Sequence, residues 1–209
     1  MFWIFAAITG AAVAVLVWAE WRASPLRFAA KPIASIGFIA AVLNRGAVDS
    51  TYGRILLVGL ILAAFGDVFL LGSSRPTFLA GLVSFLLGHV VYVIAFMTLG
   101  IDPLWTLIAV PAVGLVAATV VRWLRPNLSP DMVGPVLAYV AVISLMVIAA
   151  SGVFADGATG WILVGAIGFF LSDLAVARNQ FVAESITNRV WGLPLYYASQ
   201  LILAWTVGV

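Results

Sequence analysis

Two aspartates stand inside membrane-length apolar runs: Asp67 in LILAAFGDVFLLG and Asp173 in GAIGFFLSDLAVAR. A carboxylate in such a place costs roughly 2.5–3.5 kcal/mol on insertion scales, and intramembrane charges usually serve function. The other polar groups in apolar surroundings are few. His89 and Tyr92 are three residues apart, on one helical face. Tyr196, Tyr197 and Gln200 cluster in PLYYASQLI, and one lysine, Lys31, opens KPIAS. This is an acid–base inventory. It suits proton chemistry on a lipid, or proton-coupled transport of a small amphipathic substrate.

Each residue also has a plainer reading. Either aspartate is then a helix-end residue that snorkels or pairs with Arg75 or Arg178. His89 is a neutral imidazole bonded to a neighbouring helix. The tyrosines are packing residues with satisfied hydroxyls, and Gln200 is interhelical glue. Lys31 is a positive-inside residue at a helix end, with phosphate contact as its functional alternative.

Other chemistries have little to stand on. No GxSxG elbow or GxxxxGK loop occurs. There is no cysteine and one histidine, which is too little for a zinc site, so neither metal nor cofactor is expected. A retinal-type Schiff base needs a lysine in mid-helix, and Lys31 reads as a helix-end residue. A formal charge of +2 gives no argument for nucleic acid.

The elements that must hold these residues are membrane helices. The chain is 65% hydrophobic and 9% charged, where soluble domains carry roughly 25% charged residues. The expected fold is all-α: one polytopic transmembrane domain over residues 1–209 with eight spans. They are Phe2–Ala19, Pro32–Leu43 with flanks, Arg54–Gly72, Pro76–Thr98, Pro103–Trp123, Asp131–Val153, Gly157–Ala177 and Arg189–Val209. The first reads as a retained helix rather than a signal peptide. Start signals precede several spans: SSRP, GIDP, RPNLSPD and ADG. Pro111, Pro135 and Pro194 are candidate kinks.

The second segment has only about 12 clean apolar residues, short of the roughly 20 that a span needs. Charge decides in its favour. With eight spans and both termini outside, the inner loops hold Arg22, Arg27, Lys31, Arg75, Arg122, Arg125, Arg178 and Arg189, and the outer loops only Arg45 and Arg54. Asp67 and Asp173 then lie on parallel helices, each roughly 8 Å inside the cytoplasmic end at 1.5 Å per residue. Gly59 and Gly165 precede them by the same interval, a weak sign of a four-plus-four repeat. Small neighbours (Ala63, Ala64, Gly66; Gly165, Gly168, Ser172) permit close helix approach, so one pocket can serve both carboxyls. Two carboxyls in a low-dielectric pocket do not both ionise cheaply and tend to share a proton.

The blocks KPIAS, GDVFLL, FLAGLVSFLLGHVVYVIAF, GAIGFFLSDLAVAR and YYASQLILA, in this order over nearly the whole chain, resemble the YhhN/TMEM86 family. The resemblance implies an eight-span lysoplasmalogenase, a hydrolase of the vinyl-ether bond of lysoplasmalogens that yields a fatty aldehyde and a glycerophospho-alcohol. It implies catalytic roles for Asp67 and Asp173, and pocket roles for Lys31, His89, Tyr92, Tyr196, Tyr197 and Gln200. The partners expected are a lysophospholipid substrate and the lipid bilayer, and the setting a bacterial cytoplasmic membrane. Oligomeric state is not readable from the sequence.

Overall fold

The computed structural model describes residues 1–153 and 160–208. Among these the chain forms eight α-helices: α1 (Phe2–Trp21), α2 (Arg27–Asn44), α3 (Thr51–Phe69), α4 (Arg75–Met97), α5 (Pro103–Leu124), α6 (Pro130–Gly152), α7 (Gly160–Ala177) and α8 (Ile186–Trp205). The expected ADG start signal, the beginning of the seventh span at Gly157 and the final Val209 lie outside the described residues.

Helix starts follow local chemistry. Ser50 accepts from Gly53 N at the start of α3, and Ser74 from Thr77 N at the start of α4. Asp102 accepts from Leu104 N and Trp105 N at the start of α5. Each side chain satisfies an amide that the first turn leaves unpaired. Pro76, Pro103 and Pro130 sit in first turns, where no intrahelical donor is lost. Pro111, Pro135 and Pro194 lie inside continuous helices.

Six helices are long and apolar enough to cross a membrane: α1, α3, α4, α5 with the turn after it, α6, and α7 with the turn after it. Their outward faces are apolar. Leu107, Leu115, Ile94 and Val83 are among many exposed large side chains, a surface suited to lipid rather than water. The two remaining helices, α2 and α8, carry the polar residues that point inward: Lys31 and Ser35 on α2; Asn188, Tyr196, Tyr197, Ser199 and Gln200 on α8. Their lower hydropathy comes from the interior they line. The second segment is also a longer helix than its apolar run implies, because it starts at Arg27. Lys31 therefore lies one turn inside α2 and is buried, which corrects its reading as a helix-end residue.

Consecutive helices pack as hairpins, α1 on α2, α3 on α4, α5 on α6 and α7 on α8. Further contacts of α2 with α3 and α8, α1 with α8, α4 with α6 and α6 with α7 close the bundle, with α5 at its edge against α6. Glycines set the close approaches. A Cβ at Gly59 would stand 2.4 Å from the Tyr92 ring, and one at Gly66 2.6 Å from Phe85, both on α4. On α7, Gly165 meets Leu203 and Gly168 meets Ser199, both on α8. Gly66, Gly165 and Gly168 are among the small neighbours that the sequence marks beside each aspartate, and Gly59 is the glycine at the matching interval before Asp67.

The two ends of the bundle differ. Loops α3–α4, α5–α6 and α7–α8, together with Glu20 at the end of α1, meet around one cavity mouth. At the other end Arg45 Nε donates to Val207 O at 2.8 Å, Tyr52 and Thr206 share a 2.6 Å hydrogen bond, and Trp3 packs on Trp205. The starts of α1 and α3 and the ends of α2 and α8 are thus together, away from the mouth.

Candidate functional site

The cavity measures about 1010 Å³ and reaches from the mouth into the bundle. Its inner wall is apolar, with Leu82, Phe85, Val136, Val140, Ile143 and Phe170. Its rim is polar, with Ser74, Arg75, Asn127, Ser129, Asn179, Gln180, Asn188 and Arg189. Part of the rim is a π-turn, Arg178–Val182, that continues α7 and swings Asn179 to Val182 over the mouth. It is tied down by Arg178 to Asn188 Oδ1 at 2.5 Å and Asn188 to Ala183 O at 2.8 Å. Phe181 packs edge-on against Phe78 of α4.

Both aspartates line this cavity, but each has its own partners. Asp67 sits where α2, α3 and α8 meet. Its Oδ2 accepts from Ser35 at 2.7 Å and from Tyr196 at 2.9 Å, and its Oδ1 lies 3.4 Å from Lys31 Nζ. Three donors, one of them cationic, thus converge on one carboxylate. Asp173 sits where α4, α6 and α7 meet. Its Oδ2 accepts from Tyr139 at 2.6 Å, and His89 Nε2 is 3.7 Å from the same oxygen. The side chain of Asp173 is 16% exposed, against 3% for Asp67. No hydrogen bond joins the two carboxyls among the described residues. Aromatic rings stand between their partner sets: Phe169 is 5.2 Å from Tyr196 and 4.5 Å from His89 between ring centroids, and Phe85 is 5.7 Å from Tyr196.

Pairing of the aspartates with Arg75 or Arg178 is not what the structure has. Arg75 pairs with Asp131, and Arg178 with Asn188. Both arginines are at the rim, a level outside the carboxyls.

The other sequence-marked residues divide into two groups. Lys31 and Tyr196 line the cavity with the aspartates. His89, Tyr92, Tyr197 and Gln200 are buried behind its wall. Tyr92 donates to Gln200 Oε1 at 2.7 Å, which ties α4 to α8. Tyr197 donates to the Lys31 carbonyl at 3.3 Å and lies 3.4 Å from Ser35 Oγ, so it fixes the turn of α2 that carries Lys31 and Ser35. Both ring nitrogens of His89 lack a hydrogen-bond partner among the described residues. A buried polar atom in that condition costs free energy, and the Asp173 carboxylate lies 3.7 Å from His89 Nε2.

Two residues at the carboxyls escape sequence reading, Ser35 and Tyr139. Ser35 looks like a small residue in an apolar run. Tyr139, in VLAYVAVI, looks like any tyrosine in a span. One weak signal existed: Tyr139 is polar, and it falls near the middle of the PDMVGPVLAYVAVISLM stretch rather than at an interface.

The chain is similar to lysoplasmalogenase TMEM86A of Bos taurus, 31% identical over 161 residues, which cover 71% of this chain and 63% of that protein. It is 32% identical to lysoplasmalogenase TMEM86B of Homo sapiens over 152 residues, 73% of this chain and 62% of the relative. The chain thus spans less than two thirds of the length of these relatives. No solved structure matches it. The YhhN family model matches residues 26–207, a stretch that holds every residue at the two carboxyl sites, and the chain belongs to the YhhN family.

Proposed function

We propose that the chain is a membrane-embedded lysoplasmalogenase that cleaves the vinyl-ether bond of a lysoplasmalogen by carboxyl acid–base catalysis. The observation that carries this reading is one cavity holding two carboxyls with unlike partners, polar at its rim and apolar within. Ligand cavities typically measure about 300–1,000 Å³, so a lipid with one chain and one head group suits the space. The names of the relatives point to the same substrate class.

Vinyl-ether hydrolysis begins with proton transfer to the β-carbon. This leaves an oxocarbenium ion; water adds to it, and the hemiacetal collapses to aldehyde and alcohol. The same cation confronts glycosidases, which meet it with a pair of carboxyls. Here the two are assigned by their partners. Every donor around Asp67 favours its anionic form, since Lys31, Ser35 and Tyr196 all give hydrogens and none accepts one. Asp67 is therefore the carboxylate that steadies the cation and orients water. Asp173 has one strong donor, Tyr139, no hydrogen bond on Oδ1 among the described residues, and greater exposure. It is the acid that delivers the proton. Its exposure to the cavity lets water replace that proton, Tyr139 aims the carboxyl, and His89 packs behind it. Tyr92, Tyr197 and Gln200 hold the wall.

In this reading all eight helices cross the bilayer, α2 and α8 included, with both termini outside and the mouth toward the cytoplasm. The gathering of three loops and Glu20 at one end supports it. The deciding experiment incubates purified protein with lysoplasmalogen and, separately, with acyl lysophospholipid, and assays aldehyde and fatty acid. Aldehyde from the first alone is expected. Fatty acid from the second, with lysoplasmalogen untouched, would leave a hydrolase but remove the vinyl-ether mechanism. A transporter releases neither.

A further inference from the structure

We propose that Lys31 is a carbonyl-capturing lysine: it holds a long-chain aldehyde in the cavity as a protonated imine whose counter-ion is Asp67. The helix-end reading of Lys31 counts against a retinal-type Schiff base. Capture of a flexible aldehyde asks less of position, and Lys31 is one turn inside α2, buried, and on the wall of a cavity with an apolar interior. Its Nζ lies 3.4 Å from Asp67 Oδ1, and Asp67 is itself held by Ser35 and Tyr196. The backbone turn that carries the lysine is held too, since Tyr197 donates to the Lys31 carbonyl at 3.3 Å, and Ser35 Oγ, which gives its hydrogen to Asp67, stands 3.1 Å from the same oxygen. A lysine present only for membrane orientation would extend its ammonium to the interface. This one points at a fixed carboxylate beside an apolar chamber.

The chemistry balances within the pair. Asp67 takes a proton from the Lys31 ammonium. The freed amine adds to the aldehyde carbon, forming a C–N bond, and the carbonyl oxygen becomes the hydroxyl of a carbinolamine. Asp67 returns its proton to that hydroxyl, water leaves, and an iminium remains beside the Asp67 carboxylate. Ammonium plus aldehyde gives iminium plus water, so total charge is unchanged and the buried pair stays paired. Intramembrane carboxylates serve as ligand counter-ions in this manner, and lysine amines form Schiff bases with carbonyl substrates. The source of the aldehyde rests on the proposed hydrolysis, whose product it is; the capture itself does not.

Lys31 is the only lysine in the chain, so an adduct has two possible amines, Lys31 and the α-amino group. Purified protein in detergent micelles is incubated with hexadecanal, reduced with sodium borohydride and mapped by peptide mass. The expected result is one hexadecyl group on Lys31, formed at least about tenfold faster than on the exposed α-amine, as a bound, oriented aldehyde requires. Denatured protein loses that preference, and Lys31→Arg, which keeps a cation for Asp67 but cannot form the imine, loses the Lys31 adduct. Labelling confined to the α-amine, or Lys31 labelled no faster than after denaturation, overturns the proposal. Release of aldehyde from lysoplasmalogen is read in a separate assay. A protein that hydrolyses but forms no adduct removes only the capture. One that forms the adduct without hydrolysing keeps the capture and removes the proposed activity.

Discussion

Lys31 Nζ lies 3.4 Å from Asp67 Oδ1 across the contact of α2 and α3, with both side chains buried. Removing one partner of such a pair leaves a charge without compensation and costs about 3–5 kcal/mol, whereas replacing both with apolar groups is often neutral. Lys31→Met should therefore lower thermal stability in detergent sharply, and Lys31→Met combined with Asp67→Leu should recover most of the loss. Among the described residues no lysine or arginine pairs with Asp173, whose basic neighbour is His89, so Asp173→Asn should be milder than Asp67→Asn. Equal melting temperatures for Asp67→Asn, Asp173→Asn and the unaltered protein would show that the pair contributes nothing.

Activity should respond differently from stability. Asp67→Asn and Asp173→Asn are each expected to lose turnover of lysoplasmalogen by about 10²–10⁴-fold, the range for loss of a positioned acid or base. Tyr139→Phe removes one hydrogen bond to Asp173 and, on the proposed mechanism, in which Tyr139 aims the acid rather than binds the lipid, should lower kcat with little change in KM. Near-native turnover by either Asn variant would take that aspartate out of the mechanism.

The aspartates were legible because a carboxylate in an apolar run contradicts its surroundings, and no alignment is needed to see it. The same holds for His89 and for Gln200. What stayed hidden was partnership. Ser35, Tyr139 and Asp67 come from three different helices, and the contacts they make depend on how α2, α3, α6, α7 and α8 are rotated, which a local pattern does not specify. The start of α2 was hidden for a related reason. Arg27 and Lys31 read as loop because they are charged, yet Lys31 faces inward to a carboxylate, so tertiary pairing overrides the hydropathy signal. The glycines were the reverse case: Gly59, Gly66, Gly165 and Gly168 were visible as small residues, and each meets a side chain on the neighbouring helix.

Orientation is open to direct measurement. A reporter active only in the cytoplasm should be active when fused after Arg125 or Arg178, which follow α5 and α7 into the loops that surround the cavity mouth, and inactive after Asp102. The charge count of the inner and outer loops motivates this. The opposite pattern would turn the mouth, and both carboxyls with it, to the other side.

Activity should also survive EDTA. Asp67 is neutralised by Lys31, a cation that would repel a metal from that carboxylate, and the chain offers one histidine and no cysteine to supply the softer ligands of a zinc site. Reversible loss on chelation, restored by one particular metal, would point to a site built otherwise.

The proton itself gives the sharpest test. If a carboxylic acid protonates the vinyl-ether carbon, the delivered hydrogen ends on carbon 2 of the aldehyde. Turnover in D₂O, with the aldehyde trapped at once by reduction or as a hydrazone, should place one deuterium there. The rate should fall in D₂O if that transfer limits turnover, and Asp173→Asn should abolish incorporation together with product. Attack of water on an ester would give fatty acid and no labelled carbon. The expectation follows from the site: Asp173 sits on the cavity wall with one donor and an oxygen to spare, and Asp67 sits in a ring of donors suited to an anion. An aldehyde formed without deuterium at carbon 2 would mean that the bond is broken some other way, and the assignment of Asp173 as acid would fall with it.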